Sequence, residues 1–133
     1  MASMGRKNVH GKGGVRFKAG FTASKRKNMM RNLVTDLFKN GKVATTEATA
    51  RDIKSVADRM VTYAKKGDLS ARRLVAAYVR DAWADEAKKQ TVIQKLFTEI
   101  APKYATRNGG YTKSYKLVNR LGDNSPMTLI ELV

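Results

Sequence analysis

The apolar positions of the chain follow a helical period through most of its length and a strand period near its C-terminus. The first helical stripe lies within residues 22–40, where apolar residues occur in adjacent pairs spaced four apart, which places them on one helix face. Thr22 or Ser24 is suited to cap this helix, and Gly41 is suited to end it. The stripe consists of Met29, Met30, Leu33, Val34, Leu37 and Phe38.

Two further helices are predicted between residues 45 and 80. Thr45 or Thr46 caps the second helix, which ends at Gly67, and Asp68 caps the third, which continues to about Arg80. The buried stripe of the second helix is predicted to be Ile53, Val56, Ala57, Met60, Val61 and Ala64. That of the third is predicted to be Leu74, Val75, Tyr78 and Val79.

A fourth helix is predicted to open at Asp85 and Glu86, because carboxylates are favoured near the positive end of a helix. Pro102 breaks or kinks it, since proline lacks the backbone N–H that a continuous helix needs. Its buried stripe is predicted to be Ile93, Leu96, Phe97 and Ile100.

The period changes to that of a strand after residues 108–110. Residues 111–118 are rich in aromatic and β-branched types, and the odd-numbered and even-numbered positions are predicted to face opposite sides of a strand. A turn over residues 122–126 separates this strand from residues 127–133, which are nearly all apolar. The two strands are close enough to pair as a hairpin, and residues 42–45 form a further short strand. About four helices packed on a small mixed sheet predict a two-layer α+β domain.

The N-terminal segment has a different composition from the rest of the chain. The first 35 residues contain glycines and nine cations but no acidic residue, and the whole chain has a formal net charge of +16. A segment with so few apolar residues cannot offset the entropy of ordering, so residues 1–21 are predicted to be a basic arm, disordered when free and ordered by a polyanion. Residues 22–133 are predicted to form a single domain. The nine cations are Arg6, Lys7, Lys12, Arg16, Lys18, Lys25, Arg26, Lys27 and Arg31.

The residue types that catalysis or metal binding requires are scarce. The chain has no cysteine, and its one histidine, His10, lies in the arm. Asp85 and Glu86 are adjacent, so on a helix their carboxylates point in different directions. We therefore expect no enzymatic activity, no cofactor, no metal and no small-molecule substrate. No apolar run approaches the roughly 20 residues of a membrane span, so we expect a cytoplasmic protein without a membrane partner.

Two groups of cations outside the arm are predicted to contact nucleic acid. Lys27 and Arg31 lie four apart beside the first apolar stripe and extend the charge of the arm onto a rigid helix. Arg72 and Arg73 lie together on the third helix. Cations held on helices suit contacts to phosphates.

A second predicted contact surrounds Gly109 and Gly110, which permit close approach of the backbone. Arg107, Tyr111 and Lys113 flank them with groups that contact phosphates and stack on an unpaired base. The alternative is a plain connection into the hairpin with the Tyr111 ring in the core.

Six motifs occur in an order that identifies a resemblance. They cover residues 31–37, 45–48 with Ala50, 67–69 with 71–73, 96–97, 109–112, and 122–124 with 126–127. The chain resembles the bacterial large-subunit ribosomal protein seventeen family over about residues 18–133, whereas residues 1–14 extend beyond the usual start. The resemblance implies a mixed α/β domain on the ribosome, bound to 23S ribosomal RNA near the polypeptide exit region and beside neighbouring large-subunit ribosomal proteins.

Two other function classes are alternatives to a structural ribosomal protein. A helix-turn-helix DNA-binding regulator is the alternative, because Gly67 and Asp68 form a short turn between the second and third helices. Arg80 adds a third cation to that third helix. An RNA-processing enzyme is the other class, and it requires an acid/base constellation that the residues do not suggest.

Overall fold

Apolar pairs four residues apart form the first helix, α1 (Ala23–Asn40), in the computed structural model, which describes residues 23–133. The helix ends where Gly41 adopts a left-handed conformation, with φ of 80°, and donates its N–H to the Leu37 carbonyl at 2.8 Å. Of the two predicted caps, Thr22 lies outside the described residues and Ser24 lies within the helix. The arm predicted for residues 1–21 also lies outside them.

The next two helices begin and end as predicted. Strand β1 (Lys42–Thr46) leads directly into α2 (Glu47–Lys66), which stops at Gly67, where φ is 70°. Thr46 occupies the N-cap position of α2, but its hydroxyl contacts that of Thr49 at 2.9 Å and caps no backbone amide. Asp68 then caps α3 (Leu69–Tyr78) by accepting a hydrogen bond from the Ala71 amide at 2.7 Å. Small cap residues and a left-handed glycine are local signals, which explains why the sequence alone placed these boundaries.

The fourth helix begins later than predicted. Residues 83–85 form a short strand, β2 (Trp83–Asp85), which pairs with β3 (Gln90–Thr91), and the Asp85 carboxylate accepts from the Ala87 amide in the connecting turn. Helix α4 (Val92–Lys95) starts after Thr91, whose side chain and that of Gln94 cap each other's backbone amides. This reciprocal capping box satisfies two helix-end donors, which outweighs a charge preference at Asp85 and Glu86.

Pro102 distorts the same helix, as predicted. Helix α4 widens into a π-helical turn over Leu96–Ile100, in which the Ala101 amide donates to the Leu96 carbonyl. The following turn, α5 (Ala101–Lys103), contains Pro102 and ends at Tyr104. Because proline cannot donate to the preceding turn and its ring crowds the carbonyl there, the helix widens before it and stops after it.

The predicted core positions are buried or partly buried, except for Leu74, which is exposed. Val75 and Val79 of the α3 stripe are buried, but the Leu74 side chain is 50% exposed. Helix α3 has only ten residues and packs mainly against α2, so a narrow stripe is covered. The largest fully buried side chains of the core are Phe38, Leu37, Ile53, Leu96 and Ile130.

The C-terminal strands β4 (Thr112–Lys116) and β5 (Met127–Leu132) pair antiparallel, as the predicted hairpin requires. Strand β5 also pairs antiparallel with β1, so the sheet order is β1-β5-β4. The α+β architecture is therefore as predicted, but every strand pairing within residues 23–133 is antiparallel and the sheet is not mixed. Its inner face packs on the helices through Ile130, while the opposite face carries Lys42, Glu131 and Lys113.

Candidate nucleic-acid interface

The predicted RNA-binding cations divide into those that the structure describes and those that it does not. Five of the arm residues lie outside the described part of the chain: Arg6, Lys7, Lys12, Arg16 and Lys18. Lys25 and Lys27 are exposed near the start of α1. Arg26 is partly buried, and its Nη1 atom is buried with no hydrogen-bond partner within the described region.

Arg31 is engaged inside the protein, which the sequence did not indicate. Its Nε donates to the carbonyl oxygen of Tyr78 at 2.8 Å, and its Nη2 donates to that of Ala77 at 3.0 Å. Both carbonyls belong to the last turn of α3, where backbone acceptors lack helical partners and a positive charge is favoured. Arg31 therefore ties α1 to α3 and is not a free cation beside Lys27.

Arg80, which follows α3, strengthens the same connection between α1 and α3. Its guanidinium donates to the amide oxygens of Asn32 at 3.2 Å and Asn28 at 2.8 Å, and its backbone N–H donates to the Thr35 hydroxyl at 3.0 Å. Together with Arg31, it fixes the orientation of α1 relative to α3.

Arg72 and Arg73 both lie on the exposed side of α3. The Arg72 guanidinium carbon sits 5.1 Å from the centre of the Phe97 ring, which holds the side chain against the π-helical turn. The same helix exposes Leu69 and Leu74, which are 64% and 50% exposed. A helix surface that mixes apolar side chains with two cations does not form the row of polar base-reading groups that a recognition helix needs.

The connection before β4 is held by backbone conformation and by Arg107. Gly109 and Gly110 have φ of 125° and 60°, in the region that L side chains rarely adopt. The Arg107 Nε donates to the carbonyls of Gly109 at 3.2 Å and Gly110 at 3.1 Å. Arg107 is exposed, as is Lys113.

Tyr111 lies in the core, so its predicted role in stacking on a base is wrong and the alternative is correct. The side chain is only 3% exposed, and its ring packs against that of Tyr104 at a centroid distance of 5.3 Å. Lys65 Nζ donates to the Tyr111 hydroxyl at 3.0 Å and also contacts the Arg107 carbonyl. Tyr111 lies just before β4, and its ring is covered by Tyr104 and Lys65, so no ring face remains for a nucleobase.

One cationic site on the described surface was not predicted. A groove of about 310 Å³ runs between α2 and the end of the β4–β5 hairpin and is lined by Arg51, Lys54 and Lys116. Arg51 and Lys54 lie three apart on α2, a spacing that indicates a shared helix face but not which strand lies beside it. Only the pairing of distant segments brings Lys116 to them.

Ion pairing on the described surface leaves its positive charge largely unbalanced. The pairs Arg51–Glu47, Lys88–Asp85 and Arg120–Asp123 join close sequence neighbours. The Arg120 guanidinium, at 2.8 Å, and the Ser125 amide hold the pKa of the Asp123 carboxyl well below its usual range. With 27 cations and 11 acids in the whole sequence, such local pairs do not cancel the basic character.

Neither a metal site nor a membrane span is found in the part of the chain that the structure describes. Within residues 23–133, no group of three or more histidine, aspartate or glutamate side chains converges to hold an ion. No helix over the same residues is long and apolar enough to cross a bilayer.

Comparisons with known proteins agree with the order of motifs in the sequence. The family described as ribosomal protein L17 matches residues 29–133. The large ribosomal subunit protein bL17 of Limosilactobacillus reuteri is 49% identical over 122 residues, which cover 87% of this chain and 96% of the relative. Its counterpart from Lactiplantibacillus plantarum is 50% identical over 118 residues, covering 84% and 93%. That of Streptococcus pyogenes is 51% identical over 124 residues, covering 87% and 97%. The chain therefore belongs to the ribosomal protein L17 family.

Proposed function

We propose that this protein is a structural constituent of the large ribosomal subunit, where it binds and stabilises 23S ribosomal RNA. The observation that carries the proposal is the match with bL17 proteins along nearly the whole length of those relatives. The family is one of structural proteins and not of enzymes. A net charge of +16 supports an RNA partner, because cations that neutralise phosphates release condensed counterions.

Phosphate contacts supply the affinity in this proposal, and the shape of the folded RNA supplies the specificity. The deep, narrow major groove of A-form RNA excludes reading by side chains, so cations on a rigid scaffold mainly fix position. The proposed contacts in the described domain are Lys25, Arg26, Lys27, Arg72, Arg73, Arg107 and Lys113, joined by the five cations of the arm. Arg31 and Tyr111 contribute indirectly, by holding the surfaces that carry these cations.

Neighbouring large-subunit proteins are the second proposed class of partner. The β4–β5 hairpin exposes large apolar side chains beyond its paired region, where Val118 is 87% and Leu121 is 100% exposed. Tyr115 and Leu117 extend this apolar surface along the hairpin, at 47% and 42% exposed. An apolar surface of this kind supports packing against another protein in an assembled particle.

Sedimentation of a cell lysate through a sucrose gradient tests residence on the ribosome. Under conditions that separate the subunits, the chain is expected in the large-subunit peak in a stoichiometric amount. It is also expected to remain there at a salt concentration that removes loosely bound proteins. Recovery of the chain only at the top of the gradient, or in the small-subunit peak, would refute the proposal.

A further inference from the structure

The groove between α2 and β4 lies where helix α2 leaves part of the sheet uncovered. Thr112 at the start of β4 is buried and donates from its hydroxyl to Asp58 of α2 at 3.4 Å, whereas Ser114 and Lys116, further along the same face, are exposed. The register places Ser114 opposite Ile130 and Lys116 opposite Thr128. The groove therefore has a sheet floor and one helical wall.

The charges around this groove come from both of its sides. Arg51 and Lys54 extend from α2, and Lys116 extends from β4. Glu47, the acidic residue among those that line the groove, is paired with Arg51 at 3.0 Å. Three cations against one carboxylate leave an excess of two positive charges, and the hydroxyls of Ser114 and Thr128 add neutral hydrogen-bonding groups.

Backbone donors border the groove as well. Leu117 N donates to the Met127 carbonyl, and Val133 N donates to the Tyr111 carbonyl, so odd-numbered residues of this strand face β5. The N–H and C=O groups of Ser114 and Lys116 therefore point toward the open edge of β4. Within residues 23–133, no further strand pairs with that edge.

Lysines on an edge strand also have a protective role, because they prevent pairing with another sheet. That role accounts for Lys116, but it does not account for Arg51 and Lys54, which belong to a helix and line the same groove. Cations converge here from two elements, beside hydroxyls and unpaired backbone amides. Such a site suits a polyanion better than a small inorganic anion. An extended peptide strand without acidic side chains would use the backbone edge but leave the charges of Lys54 and Lys116 unneutralised.

We propose that this groove binds the sugar-phosphate backbone of an RNA strand, with Lys54 and Lys116 as the principal phosphate contacts and Arg51 at the rim. The inference rests on the proposed RNA-binding function and extends it to a surface far from the arm in sequence. The groove volume of about 310 Å³ suits a phosphate group with part of its ribose. Neutral hydroxyls and backbone groups do not distinguish between bases. This site therefore fixes the position of the protein on the RNA and adds affinity.

Matched double variants test the groove. Lys54→Gln with Lys116→Gln removes two charges from it, and Lys88→Gln with Lys89→Gln removes two exposed charges from the turn between β2 and β3. Binding to transcribed, protein-free 23S ribosomal RNA is measured over a series of salt concentrations, with folding checked by circular dichroism. The groove variant is expected to bind more weakly than the control variant and to lower the salt slope by about one to two units, because it loses two phosphate contacts.

Lysine acetylation, read by mass spectrometry, identifies what covers the groove. On protein-free RNA, Lys54 and Lys116 are expected to be protected while Lys88 and Lys89 react. Protection in whole large subunits but not on RNA alone would assign the groove to a protein neighbour and overturn the inference. Equal salt slopes for the two variants would also overturn the inference. Binding of the RNA by the wild-type protein would in that case leave the proposed function intact. Absence of wild-type binding would refute both.

Discussion

Arg31 of α1 donates a hydrogen bond to the backbone carbonyl of Tyr78 at 2.8 Å, across 47 positions of sequence. This contact satisfies a carbonyl at the end of α3 and places a guanidinium at the negative end of that helix. Two cations that share a helix face in sequence therefore have different roles, since Lys27 is exposed and Arg31 joins two helices. The contrast makes their individual substitutions informative.

Substitution Arg31→Gln is expected to lower the free energy of unfolding by about 1–3 kcal/mol, because it removes charged hydrogen bonds and leaves carbonyls unpaired. Lys27→Gln changes an exposed side chain and is expected to stay within about 0.5 kcal/mol of wild type. Urea unfolding followed by circular dichroism measures both. Equal stability of the two variants would show that the Arg31 contacts contribute nothing.

Substitution Tyr111→Phe tests the hydrogen bonds made by the buried hydroxyl. It keeps the ring between Tyr104 and Lys65 but removes the hydroxyl that bonds to Lys65 and to the Arg107 carbonyl. We expect a loss of about 0.5–1.5 kcal/mol in the free energy of unfolding. RNA affinity, measured where the variant is fully folded, is expected to match wild type. A variant as stable as wild type would contradict a stabilising role for the hydroxyl contacts.

Gly110 and Gly122 offer a matched pair of glycine substitutions. Gly110 has φ of 60°, so Gly110→Ala is expected to cost about 1–2 kcal/mol of stability. Gly122 has no such conformation and open space around a Cβ, so Gly122→Ala is expected to be neutral or stabilising by up to about 1 kcal/mol. Thermal unfolding of both variants checks the signs. Equal effects would contradict the left-handed conformation at Gly110.

Asp58 predicts a small dependence of stability on pH. Burial raises the pKa of its carboxyl above the ordinary value of 3.8, although the hydrogen bond from Thr112 opposes the change. Because the folded state then holds this proton more tightly than the unfolded state, this carboxyl lowers stability as pH rises from 3.8 through the folded pKa. Asp58→Asn keeps a hydrogen-bond acceptor for Thr112 and is expected to remove this decrease in stability with rising pH. Urea unfolding of wild type and variant from acid to neutral pH provides the comparison, and parallel curves would exclude the effect.

Leu121 tests the proposed protein contact of the hairpin. Its side chain is 100% exposed, so Leu121→Ser is expected to leave the stability of the free protein unchanged. If the exposed apolar residues pack on a neighbouring protein, the variant is expected to compete poorly with wild type for incorporation into large subunits. Its affinity for protein-free RNA is expected to be unaffected. Equal incorporation of the two forms would argue against a contact at Leu121.

Local signals in the sequence were sufficient for most of the fold and for the family. These signals each act within a few residues of one another. They are the paired apolar positions of α1, the N-cap residues Thr46 and Asp68, the stop at Gly67 and the two-residue period near the C-terminus. The basic composition and the ordered motifs likewise required no knowledge of packing. Their interpretation as a ribosomal protein agrees with the family match over residues 29–133.

Contacts between distant segments determined which of the cationic and aromatic residues are available to a partner. Arg31 and Tyr111 are committed to contacts with residues 46 or 47 positions away, while Lys116 reaches Arg51 and Lys54 only through the sheet. Spacing along one element reports which side chains share a face, but it carries no information on what packs against that face. The start of α4 differs from the prediction for a related reason, because pairing of β2 with β3 places Asp85 at the end of a strand and leaves Thr91 to cap the helix.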